Sequence, residues 1–333
     1  MLQCEGDTCL GAHGYALVRI EPNGLSVLDQ VPANFGERLL ARWRVTRQAF
    51  RVGVHNWIVL PNGDWVIVCK RRIMKRSASG GRFRVVERIK RGNKPAFHGL
   101  AVCPDGTVLY GEYAMNLERS LPIAVYRSED SAESFHRVHE FHPGDVRHIH
   151  FVQWDPFAGC LWLGTGDADR ECRLYRSDNQ GATWDLVGQG TQTWRTIGLA
   201  FTEDYVYWGT DAGSDAGATP NWIVRMGRSS RDIEKLVQVH GPCHGIGTLA
   251  DGTLMVSTGV EGGKNETDDR AHLWVSRDGT NWSDVASWRK DRWPSLVQFG
   301  VLHFPHGRMD STIVTGFGLR ASGETTILSR FED

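Results

Sequence analysis

An apolar strand that opens on a histidine and closes in a glycine turn recurs along this chain, and the recurrence limits what the chain can fold into. It reads HNWIVLPNG from His55, HGLAVCPDG from His98 and HGIGTLADG from His244. TIGLAFTED from Thr196 and FGVLHFPHG from Phe299 keep the register, and HFVQWDPFAG from His150 keeps it with one extra residue. The copies start at 55, 98, 150, 196, 244 and 299. A spacing of roughly 40–50 residues is the period of a four-stranded propeller blade. Each copy runs on into a second apolar strand (DWVIVCK, TVLYGEY, CLWLGTGD, YVYWGTD, TLMVSTG, STIVTGFG), and a variable segment then leads to a polar hairpin. A single unit of this kind cannot bury its own apolar face, so neighbours must stack.

The expected fold is therefore all-β: one domain over 1–333, a six-bladed β-propeller whose last blade is closed by the N- and C-terminal strands. YALVRIEPNGLSVLDQV, from Tyr15, reads as strands three and four of a blade lacking its first half. TTILSRF (325–331) is the strand left over at the other end, and pairing the two would remove exposed edges. ANFGERLLARWRVTRQAF (33–50) is the one helical segment expected. AGSDAGATP (212–220) and EGGKNETDDR (261–270) are polar and Gly-rich, and read as surface loops flanking a binding face.

Charge and cysteine usage narrow the function. A net charge of −1 gives no electrostatic footprint for nucleic acid or a membrane surface, and neither is expected as a partner. No run approaches the roughly 18 apolar residues that span a bilayer. The N-terminal text MLQCEGDTCLGAHGY has neither the basic start nor the apolar run of a signal peptide, so a cytoplasmic location is expected. The seven cysteines contain no C-x-x-C pair, and several lie in apolar strand text as small hydrophobes. A reducing compartment follows as the expectation.

Equivalent positions on the innermost strands of a propeller form a ring about its axis. The first position of the repeat gives His55, His98, His150, Thr196, His244 and Phe299, four histidines from a total of 13. Repeats inherit residues, so these imidazoles can be hydrogen-bonding joints between blades. They can equally line a pocket. Neutral imidazoles converging on one point suit a divalent metal (Mn, Zn, Ca or Fe), with His55, His98, His150 and His244 as ligands. No organic cofactor is expected. Of His148 and His150, only one is expected to join the ring.

A second ring comes from the ends of the second strands: Lys70, Arg71, Glu112, Tyr113, Asp167, Asp169 and Asp211. Arg147, Trp194 and Arg195 lie beside it, with Trp194 able to stack on a sugar face. This mixture suits a small polar, anionic ligand or a glycan. Lys70, Arg71, Arg147, Trp194, Asp167 and Asp211 are the expected substrate contacts, while His303 and His306 read as ordinary turn residues.

The hairpin text adds a resemblance. SDNQGATW (177–184), with weaker copies SEDSAESF (128–135) and SRDGTNW (276–282), resembles the Asp-box (BNR) repeat of sialidase-like β-propellers. The resemblance implies the fold and not the activity. Sialidases use an arginine triad, a Tyr–Glu pair and an acidic Asp, whereas here GVHN (53–56) stands where Arg-Ile-Pro is expected. Tyr113 beside Glu112 offers a nucleophile pair only if adjacent strand residues could face one way. The histidine-rich axis looks more like that of propeller-shaped polysaccharide lyases, in which a histidine takes the proton beside a uronate carboxylate. By ring position and chemistry, with no lyase motif matching residue by residue, His150 or His244 would be the base, Arg195 the neutraliser and Tyr113 the proton donor. The leading expectation is thus cleavage of an acidic glycan or glycoside. A four-histidine metal oxygenase, or a non-catalytic propeller that binds glycan or protein, are the alternatives.

Overall fold

The computed structural model describes residues 3–6, 8–21, 24–320 and 326–329. The chain is a six-bladed β-propeller. Five blades are antiparallel four-stranded sheets whose strands run in sequence order. Their innermost strands are Val54–Val59, Leu100–Val102, Ile149–Asp155, Ala200–Phe201 and Cys243–Thr248, for blades 1 to 5 in turn. In each sheet the second strand returns to the face where the first began, so the repeat's histidines and the second-strand ends share one face. The polar hairpins joining strands three and four lie at the opposite end.

The closing sector holds both chain ends and is fuller than the sequence suggested. Gln3–Gly6, Thr8–His13, Ala16–Glu21 and Gly24–Gln30 make a complete four-stranded sheet, not only two outer strands. His306–Met309 adds to it, parallel to Gln3–Gly6. The sixth copy builds a separate three-stranded sheet from Val301–His303, Thr312–Phe317 and Thr326–Ser329. Of the expected terminal strand, residues 325, 330 and 331 lie outside the described residues. Cys4 and Cys9 face each other across the first hairpin and form a disulfide, whereas Cys69, Cys103, Cys160, Cys172 and Cys243 are buried and free. That pairing corrects the all-reduced expectation and removes the cysteine argument for a reducing compartment. No helix is long and apolar enough to cross a membrane among the described residues.

Packing explains why the ring holds. Successive strand residues point to opposite faces, and alternate residues of each blade meet those of the next in six apolar clusters. Between blades 3 and 4, for example, Phe151, Trp162 and Leu174 pack on Val206, Trp208 and Val224. The cluster between blade 5 and the N-terminal sheet takes in the three-stranded sheet, with Met255 and Leu273 against Phe304, Ile313, Cys4 and Cys9. The expected helical segment forms two short helices, Phe35–Leu40 and Arg44–Phe50. Asn34 and Glu37 cap the first reciprocally, and Arg44 reaches Asp291 at 2.6 Å, tying this connector to the loop after blade 5.

The three polar hairpins share a hydrogen-bond plan. The Ser177 hydroxyl accepts from Gly181 N at 2.8 Å, and Asn179 Oδ1 accepts from Thr183 N at 2.9 Å. Ser128 with Asp130, and Ser276 with Asp278, repeat it. Gly181 has φ +81°, and a Cβ there would stand 2.6 Å from Leu109 Cδ2 of the preceding blade. Gly181→Ala is therefore expected to cost about 1–3 kcal/mol through overpacking and backbone strain, read as a lower denaturant midpoint with unchanged far-ultraviolet dichroism.

Candidate functional site

Bulges aim three of the ring histidines. In blades 1, 3 and 5 the pairing register slips between Val54 and Asn56, Ile149 and Phe151, and Cys243 and Gly245. The skipped residues are His55, His150 and His244. A bulged residue drops out of the ladder and its side chain is redirected, here at the same level of three blades.

Once aimed, the imidazoles are captured locally and do not meet as one ligand set. His55 Nε2 bonds the Arg51 carbonyl at 3.0 Å, and His150 Nδ1 bonds the Thr196 carbonyl of the next blade at 3.2 Å. His244 Nε2 bonds Glu261 Oε1 at 2.9 Å. His98 stands edge-on to His306, with ring centroids 4.8 Å apart. Among the described residues, groups of three or more ligating atoms within 4.8 Å of one another are His148/His150/Asp167, Asp211/His244/Glu261 and His240/His272/Asp284. None contains two of His55, His98, His150 and His244, which corrects the four-histidine metal centre: each ring is held at its own wall.

Arg195 joins the first two of these groups. It approaches Asp167 at 3.2 Å, Asp211 at 3.6 Å and Asp215 at 2.8 Å, with its side chain only 7 % exposed. Asp167 and Asp211 occupy equivalent positions just past the second strands of blades 3 and 4. Arg147 adds a bond to Asp167 at 2.9 Å. Burial opposes ionisation of Asp167, yet the positive charge around it, Arg195 included, holds its pKa well below the usual carboxylate range. His148 and His150 both face this carboxylate, at 3.7 and 3.5 Å. Only one of the two was expected to join the ring, yet both turn to this carboxylate, His150 from the bulge that takes it out of the ladder.

The second group is differently poised. Asp211 is buried and its pKa is raised to about 6 by desolvation, which outweighs Arg195 and His244. Its Oδ1 has no hydrogen-bond partner. Burial works against charge on His244, but the hydrogen bond and charge of Glu261, with Asp211, outweigh it and raise the imidazole pKa. Burial would raise Glu261, yet the His244 contact holds it below its ordinary value. Glu261 also accepts from Ser214 N at 3.1 Å.

Across the axis the groups are cationic or neutral. Burial, then Lys94, lowers His55 to about 3, and burial with Arg51 brings Lys94 down to about 8. Phe97 stacks on His303 and His306, with centroids 4.8 and 4.9 Å away, and burial lowers these to about 3 and about 4. These two histidines are thus packed at the axial end, not ordinary turn residues. Tyr113 lies on the His148 ring, centroids 4.1 Å apart, and burial followed by Asp167 and Asp211 pushes its phenol up to about 12.

Other expected site residues serve the scaffold. Glu112 is fully buried on the opposite strand face from Tyr113, where its carboxylate accepts from Ala124 N and Arg91, so it is no partner for that phenol. Trp194 packs between blades, stacked on Trp208 with its indole over Gly188. Arg71 holds a left-handed turn at φ +62° and donates to the Lys90 carbonyl. Lys70 is half-buried beside it. Glu261, Asp215 and Lys94 were missed because they sit in segments of variable length outside the repeat. The polar loops 212–220 and 261–270 hinted at Asp215 and Glu261, and nothing hinted at Lys94. Replacing Arg195 by Ala leaves the buried Asp211 without its cation and Asp167 with Arg147 alone, and is expected to cost about 3–5 kcal/mol in urea unfolding.

No family model and no curated protein sequence matches this chain. Solved structures do. A catalytically inactive virginiamycin B lyase from Staphylococcus aureus, with quinupristin, has a TM-score of 0.56 at 12% identity, covering 97% of this chain and 95% of that one. An ancestral GH74 enzyme has 0.58 at 10% identity, over 99% of this chain and 44% of the other. The dihydro-heme d1 dehydrogenase NirN, in complex with DHE, has 0.55 at 11% identity, over 99% of this chain and 63% of the other. This chain therefore spans less than half the length of the GH74 enzyme. At such identities the likeness establishes a β-propeller fold and no family.

Proposed function

We propose that this chain is an enzyme that cleaves a glycosidic C–O bond of an acidic glycan or glycoside, using Asp211 and Glu261 as a carboxyl pair. The observation that carries this reading is the opposite shift of the two groups: Asp211 is raised to about 6, with an unpartnered oxygen, while Glu261 is lowered by His244. Carboxyls pushed apart in this way divide into acid and base or nucleophile. Protonated Asp211 gives its proton to the leaving oxygen as the C–O bond breaks. Ionised Glu261, positioned by His244, attacks the anomeric carbon, and water later displaces it while Asp211 takes the proton back. Ligating atoms of the two carboxyls and His244 lie within 4.8 Å of one another. That spacing is closer to the ~5–5.5 Å of retaining enzymes than to the wider gap that admits a water. Lys94 and Arg51, across the axis, would hold the anionic part of the substrate.

This reading displaces β-elimination as first choice for a physical reason. Elimination needs a cation to neutralise the substrate carboxylate beside the base. Arg195, the cation expected there, is already held by Asp167, Asp211 and Asp215.

On acidic oligosaccharides the expected product is a new reducing end of retained configuration with no ultraviolet-absorbing double bond. An unsaturated product would restore elimination. Asp211→Asn and Glu261→Gln are each expected to lower kcat by more than about 100-fold.

The pH dependence follows from the groups facing Asp211, namely Arg195, His150, His244 and Glu261, with Tyr113 and Cys243 nearby. Activity should fall as pH rises through about 6 and Asp211 loses its proton, and fall on the acid side as Glu261 gains one. Because the folded pKa of Asp211 is raised, its ionisation weakens the fold as pH rises from 3.8 to about 6. At pH 7 Asp211→Asn should therefore be at least as resistant to urea as the parent chain, which separates loss of activity from loss of structure.

A further inference from the structure

The three histidine–carboxylate groups differ in how their atoms are satisfied. In the outer group of blade 5, His272 bonds Asp284 at 2.7 Å and Asp268 at 3.0 Å, and His240 bonds Thr267 at 2.6 Å. In the Asp211 group, His244 and Glu261 share an ordinary hydrogen bond at 2.9 Å. The blade 3 group has no such closure.

Its two imidazoles are fixed through their other nitrogens. His148 Nδ1 lies 3.1 Å from the Ala114 carbonyl, and His150 Nδ1 lies 3.2 Å from the Thr196 carbonyl. A carbonyl only accepts, so both Nδ1 atoms carry the proton, and in the neutral rings both Nε2 atoms carry lone pairs. Those lone pairs face Asp167, at 3.7 Å from Oδ2 and 3.5 Å from Oδ1. Both residues are buried, at 3 % and 4 % exposed.

Two lone pairs aimed at a carboxylate repel it unless a positive charge stands between them. Protons fit poorly. An N–H···O bond closes to roughly 2.7–3.2 Å, and doubly protonated rings would place two more cations around an anion that already has Arg147 and Arg195. A metal fits. Ligands roughly 2.0–2.2 Å from an ion, at tetrahedral or octahedral angles, stand about 3–3.5 Å from one another. A ligating histidine also commonly donates its other nitrogen to a carbonyl, and a ligating carboxylate is itself hydrogen-bonded, as here by Arg147 at 2.9 Å.

The backbone is shaped to the same end. Asp167 is held at φ +107°, and a Cβ at Gly166 would stand 2.6 Å from His150 Cε1.

We infer that His148 Nε2, His150 Nε2 and the Asp167 carboxylate bind one divalent first-row transition-metal ion on the axial wall of blade 3. Three protein ligands leave a coordination position open, next to Tyr113 and Arg195. The site is separate from the Asp211–Glu261 pair and stands whether or not that pair cleaves glycans.

The test uses the full chain, stripped with a chelator and titrated with Zn²⁺, Mn²⁺ or Co²⁺ alone, with bound metal counted by elemental analysis. The expected result is about one ion per chain, bound more than about tenfold more weakly after His148→Ala or His150→Ala. His244→Ala and His272→Ala should bind as the parent does. A folded parent chain that takes up no ion overturns the inference. So does uptake that survives both blade 3 substitutions and is lost with His244→Ala or His272→Ala. A second measurement needs no variant: the parent chain loaded with Cu²⁺ and ascorbate should be oxidised at His148 and His150, mapped by peptide mass. Oxidation confined to His240 and His272 overturns the inference equally.

Discussion

The axial end of this propeller depends on one buried guanidinium. Arg195 enters from the loop between blades 3 and 4 and is pinned from both sides, by Asp167 of one blade and Asp211 of the next. A buried charge is tolerated only when paired, so the position of Arg195 and the ionisation of its partners are a single problem. Asp167 also has Arg147 and stays ionised, while Asp211 faces Glu261 and is pushed toward neutrality. Two carboxylates at equivalent places in two repeats thus acquire different states. Symmetry of fold becomes asymmetry of chemistry through one unrepeated arginine.

The repeat made the fold legible, and it made the level of the site legible too. A six-fold spacing of apolar strands ending in glycine turns leaves little besides a propeller, and inner-strand starts must then share one end of the axis. His150, His244, Asp167, Asp211 and Arg195 were found in this way. What the repeat could not reveal is where a strand departs from regularity. The bulges at His55, His150 and His244 set the side-chain directions, and no residue type in those copies announces a skipped pairing. Trp194 and Glu112 show the other limit. Each lies at the right height, but whether a side chain turns to the axis or into the seam between blades depends on the neighbouring blade, as Trp208 and Arg91 show.

Residues outside the repeat were hidden for a related reason. Glu261 lies three residues past the second strand of blade 5, whereas Asp167 and Asp211 lie two past theirs, so the equivalent position in the repeat falls on Val260. His303 and His306 lie in the sixth copy, where the chain leaves the four-stranded plan to receive the N-terminal strand Gln3–Gly6. Closing a ring requires one sector to differ from the rest, because both chain ends must be placed there. Here that sector brings Phe97 between two imidazoles at the axis.

The axial end is therefore divided by charge. Blades 3 to 5 present Asp167, Asp211 and Glu261, and the facing side presents Arg51 and Lys94 with the neutral rings of His55, His303 and His306. A ligand with an anionic group at one end and a basic leaving oxygen at the other would be oriented by this field before any specific contact formed, since fixed charges in a low-dielectric wall act over longer distances than they do in water. The division also explains why Lys94 sits below the ordinary lysine range without a carboxylate among the groups that shift it: burial and Arg51 both disfavour its charge, and that cost is offset only when an anion arrives. A site that holds cations apart from carboxylates in this way is less stable empty than filled, and the acidic ligand proposed above would draw its binding energy from that difference.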